Sequence, residues 1–159
     1  MKRIVIMSVC LVALALATPA FAQSGELALS RQVIQTERQA LVTSAMELTE
    51  EEGKVFWPLY REYREAIAKV GDRSQALIVD YAAKYATLTD VDAQAMVTEM
   101  VAIDQEALNV RKDYVKKFGK MLPAKRVARF FQIENKMDAV IKADLAESIP
   151  LVKSPAASG

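Results

Sequence analysis

Two long series of apolar side chains, each spaced alternately by three and four residues, constrain this chain more than any other feature of its sequence. Such spacing places all members of a series on one side of an α-helix. The first series runs from Phe56 to Leu88 and the second from Met96 to Met121. Gly and Pro are rare, so little of the chain suits the turns of a β-sheet. The sequence therefore predicts an all-α fold.

Both long helices are predicted to begin at a capping box. Thr49 precedes three acidic residues, the last of which is Glu52. The Glu52 carboxylate can accept a hydrogen bond from the backbone N–H of Thr49. The Thr49 hydroxyl can accept one from the backbone N–H of Glu52. Thr89 and Asp92 repeat the pattern 40 residues later. We therefore expect the two helices to start directly after these threonines.

Two further helices complete the predicted fold. A short amphipathic segment from about Ser30 to Ala45 precedes the long helices, and Pro123 suits the first position of a last helix that ends at Ile149–Pro150. We expect an elongated antiparallel helical hairpin with a short N-terminal helix and a fourth C-terminal helix. The second long helix also carries apolar residues beside its main series, so it must face more than one neighbour. A homodimer is the expected way to cover them.

The N-terminus has the three parts of a secretory signal peptide over residues 1–22. A basic pair follows Met1, then an apolar run from Ile4 to about Ala17, then small residues up to Ala22. The run is shorter than the roughly 20 residues that a membrane span needs. We expect cleavage after Ala22, export to the periplasm, one helical domain over 23–152 and a disordered tail over 153–159.

The residue types that most active sites need are missing. The chain has no His, and its one cysteine, Cys10, lies in the predicted signal peptide. A His-dependent catalytic triad, an imidazole metal ligand and a disulfide in the exported chain are therefore excluded. The acidic residues Glu50–Glu52 are typical of a helix start. Met96 and Met100 lie in the second apolar series, so they are interpreted as core residues and not as ligands of a copper site. We expect no enzymatic activity, no metal and no cofactor.

Charge is divided unequally along the chain, with a net charge of −7 over residues 23–110 and +6 over 111–159. The second region begins with a basic block. This block consists of Arg111, Lys112, Lys116, Lys117, Lys120, Lys125, Arg126 and Arg129. It is interpreted as a solvated helix face, as a surface that attracts unfolded or envelope proteins, or, less favoured, as a surface for anionic lipids. No nucleic-acid partner is expected, because no nucleic-acid motif is present.

Three aromatic residues are candidates for contact with a partner. Trp57 lies beside Pro58 and outside the first apolar series, and Phe130 and Phe131 follow the basic block. Aromatic side chains are favoured at protein interfaces. An alternative hypothesis is therefore a structural or regulatory subunit that docks on one envelope partner through these residues.

The two helix starts carry a resemblance to a known family. Leu48, Thr49 and Glu52 are matched by Leu88, Thr89 and Asp92. With the export signal and the order of the helices over about Ser30 to Ile149, this pattern resembles the periplasmic Spy/CpxP proteins, whose hallmark is a repeated Leu-Thr-x-x-Gln. Acidic residues replace the Gln here. The resemblance implies a cradle-shaped helical dimer that binds unfolded exported proteins without ATP or tunes an envelope-stress sensor.

Overall fold

The structure is a computed structural model that describes residues 36–153, so the predicted signal peptide and residues 154–159 lie outside the described part. Within it the chain forms four helices and no strand, which confirms the all-α prediction. The helices are α1, which covers 36–46 of the described residues, α2 (Glu50–Lys84), α3 (Asp90–Gly119) and α4 (Ala124–Ser148). Helices α2, α3 and α4 all belong to one compact unit that begins at Ala40. The predicted start of the domain at residue 23 lies outside the described residues.

Both predicted capping boxes are present. The Glu52 carboxylate accepts from the N–H of Thr49 at 2.9 Å, and the Thr49 hydroxyl accepts from the N–H of Glu52 at 3.2 Å. Thr89 and Asp92 form the corresponding pair of bonds at 3.3 and 3.1 Å. These bonds satisfy backbone donors that have no partner within the helix, which is why α2 and α3 begin at these points.

The other helix ends differ slightly from the prediction. The first apolar series extends to Leu88, but α2 ends at Lys84, and a short turn leads to Thr89. Pro123 was expected to be the first helical residue of α4, yet its ψ of 144° is extended, so it is the N-cap and Ala124 follows as the first helical residue. The predicted stop of α4 is confirmed, since Ile149 is its C-cap.

Contacts between side chains establish the direction of α3 relative to α2. Near the start of α2, the ring of Phe56 lies 5.4 Å from that of Phe118 at the end of α3. At the other end of α2, Lys84 lies 3.5 Å from Asp92 at the start of α3. The two helices are therefore antiparallel.

The last helix, α4, packs against both of its predecessors. Phe130 lies 5.3 Å from Phe56, and Arg64 donates to Glu134 at 3.0 Å. These contacts advance along α2 and α4 in the same direction, so α4 is parallel to α2 and antiparallel to α3. Helices α2, α3 and α4 thus form a three-helix bundle.

The core of this bundle is concentrated near the start of α2. Its buried members are Val42, Met46, Phe56, Leu59, Tyr60, Tyr63, Tyr114, Phe118, Leu122, Val127 and Phe130. Aromatic rings form most of it, at the offset and edge-on distances that such rings prefer. Toward the far end of α2, Leu77 and Tyr81 are only half-buried. The first apolar series is thus deeply buried in its first half and half-exposed in its second.

The first capping box makes stability depend on pH. The backbone N–H of Thr49 holds the pKa of the Glu52 carboxyl below its usual value, and Arg126 at 3.2 Å lowers this pKa further. A carboxyl group with a lowered pKa in the folded chain stabilises that chain above its unfolded pKa, about 4.3 for Glu. The contribution is lost as the pH falls through the folded pKa.

Glu52→Gln is therefore expected to lose less stability on acidification than the wild type. Glutamine keeps the hydrogen bonds of a capping box but does not titrate. Urea unfolding at neutral pH and at a pH below the folded pKa would measure the difference. Glu51→Gln is the matched control, because Glu51 lies in the same turn with its side chain 81% exposed. An equal loss in the wild type and in Glu52→Gln would contradict the prediction.

Candidate functional site

Two arginines of the basic block connect α4 to the end of α1. Arg126 donates to the carbonyl oxygen of Met46 at 2.7 Å, and Arg129 donates to that of Ala45 at 2.5 Å. Carbonyl groups at the end of a helix lack partners within that helix, so the two guanidinium groups satisfy them. Arg126 and Arg129 therefore have a structural role, although the side chain of Arg129 remains 47% exposed.

Arg111 also has partners within the fold. It donates to the carboxylate of Asp138 on α4 at 2.5 Å and lies close to Tyr63 on α2. Burial raises the pKa of Tyr63 to about 12, and the nearby Glu134 carboxylate adds to this rise, while Arg111 opposes it. Arg111 thus belongs to a polar cluster shared by all three helices of the bundle and is less available to a partner than the sequence suggested.

The lysines of the basic block differ from the arginines. Lys112, Lys116, Lys120 and Lys125 are exposed, and none of them forms an ion pair with an acidic residue among those that the structure describes. Lys117 is exposed as well, but its Nζ lies 4.0 Å from Glu62 and 4.2 Å from the centre of the Tyr114 ring. The accessible positive charge therefore comes mainly from lysine side chains.

Two of these lysines lie at the turn between α3 and α4, beside an exposed methionine. Lys120 and Met121 follow the end of α3, and Lys125 lies in the first turn of α4. Met121 is 54% exposed. Lys117 and Arg129, one turn away on either side, add further positive charge. We refer to Lys120, Met121 and Lys125 as the basic corner.

The structure separates the three aromatic candidates. Phe130 is fully buried against Phe118, with ring centres 4.8 Å apart, so it is a core residue and not the surface contact expected from the sequence. Its neighbour Phe131 is half-buried and also packs on this core. Trp57 is half-buried too, with its ring edge-on to that of Phe56 at 5.0 Å. Only Trp57 and Phe131 retain any surface for a partner.

All six positions of the repeated motif have structural roles. Thr49, Glu52, Thr89 and Asp92 are the capping residues described above. Leu48 is half-buried and packs against the core, and Leu88 is half-buried in the turn before α3. The four capping positions therefore hold the starts of α2 and α3 in place.

One surface of α3 carries exposed apolar residues that were absent from the predicted site. Val97, Val101, Leu108 and Val115 are between 43% and 59% exposed. Their spacing of four and seven residues places them in a single line along the helix. We refer to these four residues as the α3 stripe. Their helical spacing was visible in the sequence, but their exposure depends on where α2 and α4 pack.

Comparison with family models found no match, and neither did comparison with curated proteins or with solved structures. No helix within residues 36–153 has the length and apolar character needed to span a membrane. The same residues contain no group of three or more His, Cys, Asp or Glu side chains placed to hold a metal ion.

Proposed function

We propose that this chain is an exported periplasmic binding protein of the Spy/CpxP type that acts as an ATP-independent chaperone or envelope-stress adaptor. The observation that carries the proposal is the basic corner, where Lys120, Met121 and Lys125 are all exposed at the turn between α3 and α4. Methionine adapts its shape to different apolar partners, and lysines attract acidic segments. This combination suits transient binding of many unfolded chains.

The proposed mechanism has two parts. Positive charge at the basic corner speeds the encounter with acidic or unfolded clients, and this effect weakens as salt screens it. The exposed side chain of Met121 then holds the client through shallow apolar contacts. Since these contacts are few, the client can leave or fold without an energy source such as ATP.

Reversing the charge of the basic corner is expected to weaken the chaperone effect several-fold. Lys120→Glu/Lys125→Glu would be compared with the wild type for suppression of the aggregation of a denatured acidic protein at low salt. Lys69→Glu/Lys136→Glu is the matched control, because it makes the same change of net charge at exposed sites elsewhere. Equal suppression by the two variants would show that the corner is not the binding site.

Failure of the wild type to suppress aggregation at equimolar concentration would overturn the proposed function. A pulldown from an envelope extract would then test the structural or regulatory alternative, which predicts one stoichiometric partner. Co-sedimentation with anionic vesicles that salt reverses would instead favour binding to a lipid surface.

A further inference from the structure

The end of α1 is attached to the bundle by few side chains. Residues 40–46 belong to the same compact unit as α2, α3 and α4, and within them only Val42 and Met46 are buried, both completely. They lie four residues apart, so they project from the same side of the helix. They share the core with aromatic side chains of α2 and α4. Except for half-buried Ala45, the rest of this segment is exposed. Two side chains therefore supply nearly all of its apolar contact.

The polar contacts of this segment involve backbone atoms that every helix offers. Arg126 donates to the carbonyl oxygen of Met46, and Arg129 donates to that of Ala45. Carbonyl groups in the last turn of any helix lack partners within that helix. Because the two arginines bind the backbone and not the side chains of α1, they can hold the last turn of another helix equally well.

The two arginines also indicate which charge suits the site. Arg126 pairs with Glu52 on α2 at 3.2 Å, and this contact holds its guanidinium group near the site whether or not α1 is present. Arg129 pairs at 3.4 Å with Glu47, the residue directly after α1. A helix that replaced α1 would therefore gain a charge-assisted contact from an acidic residue directly after its last turn.

The connection between α1 and α2 opposes the attachment of α1. Glu47 has a φ of 48°, in the left-handed region that residues other than glycine avoid. This backbone strain persists while α1 is attached and is released when α1 detaches. Only residues 47–49 separate the two helices, so a detached α1 stays close to its site and can return. Attachment of α1 is therefore weakened by strain and is reversible.

We propose that the surface covered by the end of α1, where α2 meets α4, is a binding site for an amphipathic helix of another protein, and that α1 is its displaceable internal occupant. The partner helix carries two apolar side chains four residues apart, exposes the carbonyl groups of its last turn and continues with an acidic residue. Its apolar side enters a groove in the bundle. The inference does not rest on the proposed function, because it concerns the site beneath α1 and not the basic corner.

Binding of a labelled peptide tests the proposal. The probe is a fluorescent peptide of residues 36–48, and Val42→Ser in the full chain keeps the site but weakens its internal occupant. Tethered α1 competes with the peptide at a high effective concentration, so the wild type should bind it weakly. Fluorescence anisotropy is expected to show at least tenfold tighter binding to the Val42→Ser protein. Leu41→Ser is the matched control and should bind like the wild type, because Leu41 is 53% exposed. Equal affinities of the wild type and Val42→Ser would overturn the proposal.

A second probe tests which features of the helix are recognised. It is an alanine-rich peptide of the same length, with leucine in place of Val42 and Met46 and with glutamate kept at the position of Glu47. Its affinity for the Val42→Ser protein should match that of the first peptide, and serine at the two apolar positions should abolish binding. A site that accepts only the sequence of α1 would indicate exchange of α1 between copies of this chain and would overturn the proposal.

Hydrogen exchange of the unmodified chain gives a measurement that needs no variant. Amides of residues 40–46 are expected to exchange at least tenfold faster than those around Tyr63 and Phe118, because α1 opens locally. Adding the alanine-rich peptide should speed exchange in α1 further and leave exchange around Tyr63 and Phe118 unchanged. Exchange of residues 40–46 only through global unfolding would make α1 a permanent part of the core and refute the proposal, even if Val42→Ser fails to fold.

The outcomes for this inference and for the proposed function are distinguishable. A chain that binds the peptides but does not suppress aggregation would refute the proposed function alone. A chain that suppresses aggregation but binds neither peptide, even with Val42→Ser, would refute the helix-binding site alone.

Discussion

Phe130→Ala is expected to lower the free energy of unfolding by about 3–5 kcal/mol, the cost of removing a large buried aromatic side chain. Phe130 is fully buried and its ring contacts those of Phe56, Phe118 and Tyr63. The cavity left behind lies where all three helices of the bundle meet, so they cannot easily close it. Urea unfolding followed by circular dichroism would measure the loss as a lower midpoint with an unchanged slope.

Phe131→Ala is the matched control for this prediction. Phe131 is the next residue on α4, has the same side chain and is only half-buried. Its replacement is expected to cost less than half as much. If Phe130→Ala left stability unchanged but abolished binding to a partner, the docking role expected from the sequence would be correct and its assignment to the core would be wrong.

Arg64→Met is expected to lower the free energy of unfolding by about 3 kcal/mol, because it removes a partner of a buried carboxylate. Arg64 on α2 donates to Glu134 on α4 at 3.0 Å, and the side chain of Glu134 is only 2% exposed. Methionine fills much of the same volume but offers no charge and no donor. Chemical unfolding at neutral pH and low salt would measure the change.

Two further variants separate the ion pair from packing. Arg61→Met lies one turn earlier on α2 at an exposed position and is expected to change stability little. The double variant Arg64→Met/Glu134→Met removes both charges and should recover most of the loss, since a buried ion pair can often be replaced by apolar side chains. Additive losses from the two single substitutions would show that the two side chains are not coupled.

The helix starts could be predicted from the sequence because the interactions that determine them are local. The Thr49 hydroxyl and the Glu52 carboxylate are three residues apart and find each other in any helix that begins there. The end of α2 was less predictable. The apolar series continues to Leu88, but helical periodicity alone does not show that the chain turns after Lys84 to bring α3 alongside.

The candidate site was predicted less well because its residues depend on distant parts of the chain. Arg126 and Arg129 bond to carbonyl groups about 80 residues earlier, and no local pattern reveals such partners. Phe130 and Phe131 have the same side chain, but adjacent residues on a helix point about 100° apart. Which of the two is buried therefore depends on the position of α4 in the bundle. Exposure of the lysines followed from the sequence more readily, since lysine is rarely buried.

The concentration of the aromatic core near the start of α2 divides the bundle into two regions of different rigidity. Around Tyr63 and Phe118, separating the helices requires breaking the whole core, whereas the turn between Lys84 and Thr89 is bordered by half-buried side chains. Local opening at that turn therefore costs far less free energy than global unfolding. Backbone amide hydrogens near the turn are therefore expected to exchange with solvent by fraying, while the aromatic core stays intact. The end of the bundle that contains this turn can change its conformation without unfolding the rest.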